Sequence, residues 1–208
     1  MRRDDVTETS VRLAPVPADQ WDESSRAMLR GHLRTAEKYL SGEPDAPRLP
    51  NVLGILGHQL SLGSAWLHYN GVLLQDVSLE PRLRELLILR VAWQTHSRYE
   101  WVQHARIGQQ VGLTYPQVEA VTRGSDDPVW TPVERLLLDA TDQLLDVHRV
   151  EDATWSGLQG ELDSGQLLEV LFIVGSYLCL ALVFNSVGLE LDAEMDPGAA
   201  PDLPETRG

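Results

Sequence analysis

The run Val170–Val187 is apolar on every face that a helix could present. A helix of that kind must be wrapped by other elements or by lipid. Gly175, Ser176, Asn185 and Ser186 interrupt the run, and an acidic stretch follows it where basic anchors would suit a membrane. No stretch of about 18 residues or more is free of both charges and helix breakers. The run therefore reads as a core helix of a folded protein, not as a membrane span, and the remaining chain must supply the elements that cover it.

Those elements read as helices too. Helical spacing and helical punctuation recur from Trp21 to Asp192, and no segment shows the strict alternation of a half-buried strand. Helices are expected over Trp21–Leu40, once or twice in Asn51–Gln75, from Glu80-Pro81 to Gln94, over Ser97–Val111, after Thr114, and at about Pro132–Val147, Asp152–Leu162 and Ser164–Val187. Pro81 suits a first turn and Gly112 a helix end. The fold class is all-α, with one domain at 21–192. Residues 1–20 and 193–208 are polar and rich in proline, and are expected as mobile arms.

Charge and cysteine usage narrow the function. The net charge of −14 repels phosphate backbones and anionic lipid, so neither nucleic acid nor membrane is an expected partner. Met1-Arg-Arg-Asp-Asp lacks a signal-peptide apolar stretch, and the single cysteine, Cys179, reads as a small core residue. Both features fit the cytoplasm. No glycine-rich phosphate loop, nucleophile elbow or zinc-protease signature is present.

Two halves resemble a diverged repeat, at about 51–124 and 131–192. Leu83-Arg-Glu-Leu-Leu-Ile-Leu lies on Leu167-Leu-Glu-Val-Leu-Phe-Ile, which places Glu85 on Glu169. The same register puts Ser97 on Ala181, Glu100 on Phe184 and His104 on Gly188. Polar positions thus survive only in the first half, so that half is expected to carry a site and the second to form a wall.

The candidate site is Ser97, Glu100 and His104, which share one narrow helical face, with Glu100 and His104 one turn apart. A carboxylate beside an imidazole is equipped for general acid–base chemistry. Glu85 could join them if its helix packs antiparallel. Structural roles compete with each assignment. Ser97 and Glu100 match a capping box, His104 could be an interior histidine, and Glu85 could pair with Arg84. Tyr99, Trp101 and Trp93 are core aromatics or pocket walls. A metal set of His96, Glu100 and His104 is disfavoured, since its ends lie about 12 Å apart along a helix.

These residues resemble the carboxymuconolactone decarboxylase family, which includes the alkylhydroperoxidase D-like proteins. The likeness rests on Arg84-Glu-Leu-Leu-Ile-Leu-Arg-Val-Ala, Tyr99-Glu-Trp-Val-Gln-His and Gly112-Leu-Thr, within Asn51–Asp192. In the peroxidase branch a glutamate precedes Cys-x-x-Cys-x-x-x-His. Here those positions are Glu85, Ser97, Glu100 and His104, so the dithiol is missing. The resemblance implies an alkylhydroperoxidase D-like helical fold and a homo-oligomer, whether dimer, trimer or hexamer. It also implies a lyase or isomerase that needs neither cofactor nor metal and acts on a small organic acid, lactone or related carbonyl compound. Glu85, Glu100 and His104 would be catalytic, and Ser97, Tyr99 and Trp101 would bind substrate. The alternative is a catalytically silent ligand-binding or scaffold relative. A dithiol peroxidase is not expected.

Overall fold

The computed structural model describes residues 11–34 and 36–203, and all regular structure among them is helical. The helices are α1 (Glu23–Leu29), α2 (Glu37–Leu40), α3 (Asn51–Leu56), α4 (Leu60–Gln75), α5 (Pro81–Gln94), α6 (Arg98–Gln110), α7 (Tyr115–Val121), α8 (Pro132–Asp146), α9 (Asp152–Glu161) and α10 (Ser164–Val187). From α4 onward the boundaries follow the punctuation of the sequence. Thr114 and Gln117 cap α7 reciprocally, Asp163 and Gln166 do the same for α10, and Gly188 closes α10 with a φ of 67°. The expected Trp21–Leu40 helix is instead two short ones, because the chain reverses at Gly31 with a φ of 79°.

Helix α5 lies at the centre, with every residue from Arg84 to Ala92 buried. It packs against α6, α8 and α10. Its charged residues are paired as they enter the interior: Arg90 makes a two-pronged bond to Asp142 at 2.6 Å and donates to the Val121 carbonyl, while Arg82 pairs with the buried Glu134. One apolar cluster joins α5 to α8, α9 and α10. A second joins it to α6 and α7, and a third lies under α1–α4.

Two expectations need correction. Helix α10 is a core helix on one face only: Val170, Ile173, Val174 and Tyr177 point inward, while Leu168, Phe172, Leu182 and Val183 are exposed. It is long and apolar enough to cross a membrane, and half of its most apolar window is buried inside the molecule. Cys179, expected in the core, lies on the exposed face. Beyond these two corrections, the described parts of both arms make hydrogen bonds to the body. Arg12 N–H donates to the Val187 carbonyl at 2.7 Å and Val16 N–H to the Gly54 carbonyl at 3.0 Å. At the other end Trp101 Nε1–H donates to the Pro201 carbonyl, and Ala200 is buried. Residues 1–10 and 204–208 lie outside the described residues.

The segment from α1 to α2 lies across α4, and Gly71 permits the approach. A Cβ at that position would fall 2.0 Å from the His32 carbonyl oxygen. Gly71→Ala should therefore push residues 31–34 off α4 and lower stability by about 1–3 kcal/mol in denaturant titration. An unchanged midpoint would show that this approach is not tight.

Candidate active site

Helices α5 and α6 form a hairpin whose turn is built by residues that tolerate an unusual backbone. His96 adopts a φ of 54°, Ser97 N–H donates back to the Ala92 carbonyl at 2.9 Å, and Asn185 of α10 ties the Thr95 carbonyl at 2.7 Å. The helices return antiparallel, which brings Glu85 against His104 with 2.7 Å between Oε2 and Nδ1. Arg84 Nε reaches the other oxygen of Glu85 at 3.2 Å, while Arg84 Nη1 donates to the Leu74 carbonyl. Glu85 is wholly buried. A carboxylate so placed accepts from the Nδ1–H of His104 and fixes the orientation of the ring, with Nε2 on its far side. The ring of Tyr177, from α10, stands edge-on to His104 at 5.0 Å.

Glu100 differs sharply from Glu85. It is 2% exposed, and neither carboxyl oxygen has a hydrogen-bond partner among the described residues. Burial pushes its pKa up to about 8, against a weaker opposing influence from the nearby Ser97 hydroxyl. The capping box does not form, since Ser97 Oγ also has no partner among the described residues. At neutral pH Glu100 is therefore a protonated acid.

A cavity of about 580 Å³ opens onto this pair between α2, α4, α6 and α10. Glu100, His104, Tyr177 and Asn70 line its polar part, and Trp66, Leu180 and Phe184 are among its apolar walls. Lys38, Arg48 and Arg106 also line it and are exposed, as is Glu194, and Asp192 lines it beside Tyr99. Tyr177, Leu180 and Phe184 of α10 form part of the cavity wall. Glu169, opposite Glu85 in the repeat register, instead accepts the Ser78 and Leu79 backbone N–H groups.

Not every expected site residue reaches the cavity. Trp101 is buried on the other side of α6, tilted against Trp93 at 5.5 Å, so it cannot touch a ligand there. Ser97 is fully buried and lies outside the cavity lining. Tyr99 lines the cavity, but its hydroxyl is bound to Asp192 Oδ2 at 2.6 Å; burial, then that carboxylate, raises its pKa. His104 bonds Glu85 and not Glu100, because the helix hairpin places a closer carboxylate across from it. Among the described residues, no three His, Cys, Asp or Glu side chains group to hold a metal ion. Sequence reasoning missed Asn70, Tyr177 and Asp192. The first two are polar residues within apolar helices, a signal that was legible.

Residues 61–143 match the model of the carboxymuconolactone decarboxylase family. This segment belongs to that family. No curated protein matches the chain by sequence. Solved structures similar to it include an uncharacterized peroxidase-related protein from Silicibacter sp. TM1040, 16% identical over 89% of this chain and 93% of that one, with a TM-score of 0.72. The alkylhydroperoxidase AhpD core protein from Ralstonia eutropha JMP134 is 19% identical over 84% and 93%, with a TM-score of 0.67. The debrominase Bmp8, solved as a cysteine-to-alanine variant with 2,3,4-tribromopyrrole, is 15% identical over 94% and 97%, with a TM-score of 0.70. At these identities the likeness establishes an AhpD-like helical fold. The family segment contains α5 and α6 whole, and with them Glu85, Glu100 and His104.

The state of Glu100 makes stability depend on pH. Between the ordinary carboxylate value of 4.5 and about 8, the folded protein holds a proton there that the unfolded chain has released. Stability from this group is full below that window and falls as pH rises through it, by up to about 1.4 kcal/mol per pH unit. Glu100→Gln should remove the slope, so that thermal melts show the variant gaining on the wild type from pH 5 to pH 8. Parallel melting curves across that range would refute the assignment.

Proposed function

We propose that this protein is a cofactor-independent enzyme that moves protons on a small organic acid, lactone or related carbonyl compound. The observation that carries this reading is the pairing of opposites at one cavity. Glu100 is a buried acid holding its proton, and His104 is an imidazole whose Nδ1 faces a carboxylate, with Nε2 on the far side of the ring.

In this scheme His104 Nε2 takes a proton from the substrate, and the Glu85 carboxylate steadies the imidazolium that results. Glu100 delivers a proton to the oxygen or carbon where negative charge gathers. Decarboxylation, isomerisation and dehydration all use such an exchange, and a family with enzymatic members supports it. Dithiol peroxidase chemistry does not suit this chain, which has one cysteine and so no pair to oxidise. The exposed apolar residues Leu168, Phe172, Leu182 and Val183 on α10 support a homo-oligomer in which that face is covered.

The test is solvent deuterium incorporation or turnover, followed by proton NMR, across a panel of lactones, β-keto acids and aromatic acids. His104→Ala and Glu100→Gln should each lower the rate of the reactive compound by about 10²–10⁴-fold. The wild-type rate should fall as pH rises through about 8, where Glu100 loses its proton. Wild-type rates in both variants would overturn the reading.

A further inference from the structure

Helices α4 and α10 lie against one another, with the ring of Tyr69 edge-on to that of Phe172 at 6.3 Å. Each turns an uncharged row away from the molecule. On α10 the row is Leu168, Phe172, Gly175, Cys179, Leu182 and Ser186, all exposed. On α4 it is Leu62, Ala65, Tyr69 and Val72, also exposed. Both rows step alternately by three and four residues, the spacing of a seam along which one helix packs on another. Within the single chain neither seam is covered: Leu62 is 66% exposed and Leu182 is 62% exposed.

Charge, backbone and size specify what covers them. Among Lys, Arg, Asp and Glu, Glu169 alone occurs in α4 and α10, and its carboxylate accepts the Ser78 and Leu79 N–H groups. On a chain with a net charge of −14, an uncharged strip is a surface that can meet its own copy without repulsion. A Cβ on Gly175 would meet nothing within 4 Å, so no neighbour in the chain requires glycine there, although glycine weakens a helix. A helix of a second copy, seated close over Gly175 and Cys179, accounts for it. Helices of 24 and 16 residues, about 36 and 24 Å long and about 10 Å wide, offer on the order of 600 Å² together, against about 800 Å² per partner in a stable interface. Lipid is the competing occupant, since α10 is long and apolar enough to cross a membrane. However, Glu190, Asp192 and Glu194 follow α10 where basic anchors would suit a bilayer.

We propose that the α4–α10 face is the contact between two copies of this chain, paired about a two-fold axis so that two helices from each copy pack as a four-helix layer. The inference rests on the homo-oligomer reading above and deepens it by naming the surface and its symmetry. The contact lies on the outer side of the helix whose inner side carries Tyr177 to the cavity.

Cys179, the only cysteine in the chain, reports on the seam from within. Light scattering should give the native protein an even number of 23.2 kDa chains, and Phe172→Glu combined with Leu182→Glu should give at most half that number with unchanged helical circular dichroism. Ellman's reagent should modify Cys179 at least tenfold faster in that variant than in the native protein. Should the variant fail to fold, Leu62→Glu combined with Val72→Glu takes its place, with the same expected results. A native protein of one chain, or of any odd number, overturns the proposal, and binding of such a protein to phosphatidylcholine vesicles would assign the face to lipid. An even-numbered assembly whose mass and Cys179 reactivity are unchanged in a folded charged variant also overturns it, while leaving the homo-oligomer reading in place through another surface.

Discussion

The burial of Glu85 is the constraint to which the site is fitted. A carboxylate in the middle of the most buried helix is untenable alone, and two neighbours answer its charge: Arg84 beside it and His104 across the hairpin. Meeting that requirement dictates how α5 and α6 pack, with the tight turn at His96 setting their registration. The same pairing orients the His104 ring, so a demand of folding also prepares a base.

Glu100 sits a few residues away under the opposite regime. It has the burial of Glu85 without an Arg84, so neutralisation by a proton replaces neutralisation by a partner. Two glutamates on adjoining helices thus meet burial in different ways, and the difference is set by their neighbours. Tyr177 of α10 stands edge-on to His104, and burial, followed by the charge of Glu85, pushes its hydroxyl pKa well above the usual range. An arrangement that leaves Glu100, Ser97 and Asn70 all unpaired forgoes stability that ordinary core residues would supply, a pattern expected where binding or chemistry supplies the return.

Much of the fold was legible from sequence because its signals are local. Proline at first turns, reciprocal caps at Thr114 and Asp163, and glycine at helix ends act within a few residues, and helices from α4 to α10 appear where those signals placed them. The AhpD-like class was legible from the motif around Glu85 and His104. What was not legible depended on three-dimensional partners. Helical spacing alone put Glu100 beside His104, yet the hairpin gave the histidine a nearer carboxylate. Trp101 and Ser97 share the motif but face away from the cavity, and the side a helix turns inward is set by packing. Asn70 stands out in α4 as a polar residue in an apolar helix, but its place on the cavity wall depends on how α4 packs.

The central claim is that Glu100 carries a proton at neutral pH at the wall of a cavity it shares with His104. Carbon-13 NMR of protein labelled at glutamate side-chain carboxyls, titrated beside the Glu100→Gln variant, measures that proton directly. The account predicts one resonance, absent from the variant, with a midpoint near 8. A midpoint for that resonance in the ordinary range near 4.5 would mean that Glu100 is ionised in the folded protein, and the acid–base assignment would fail.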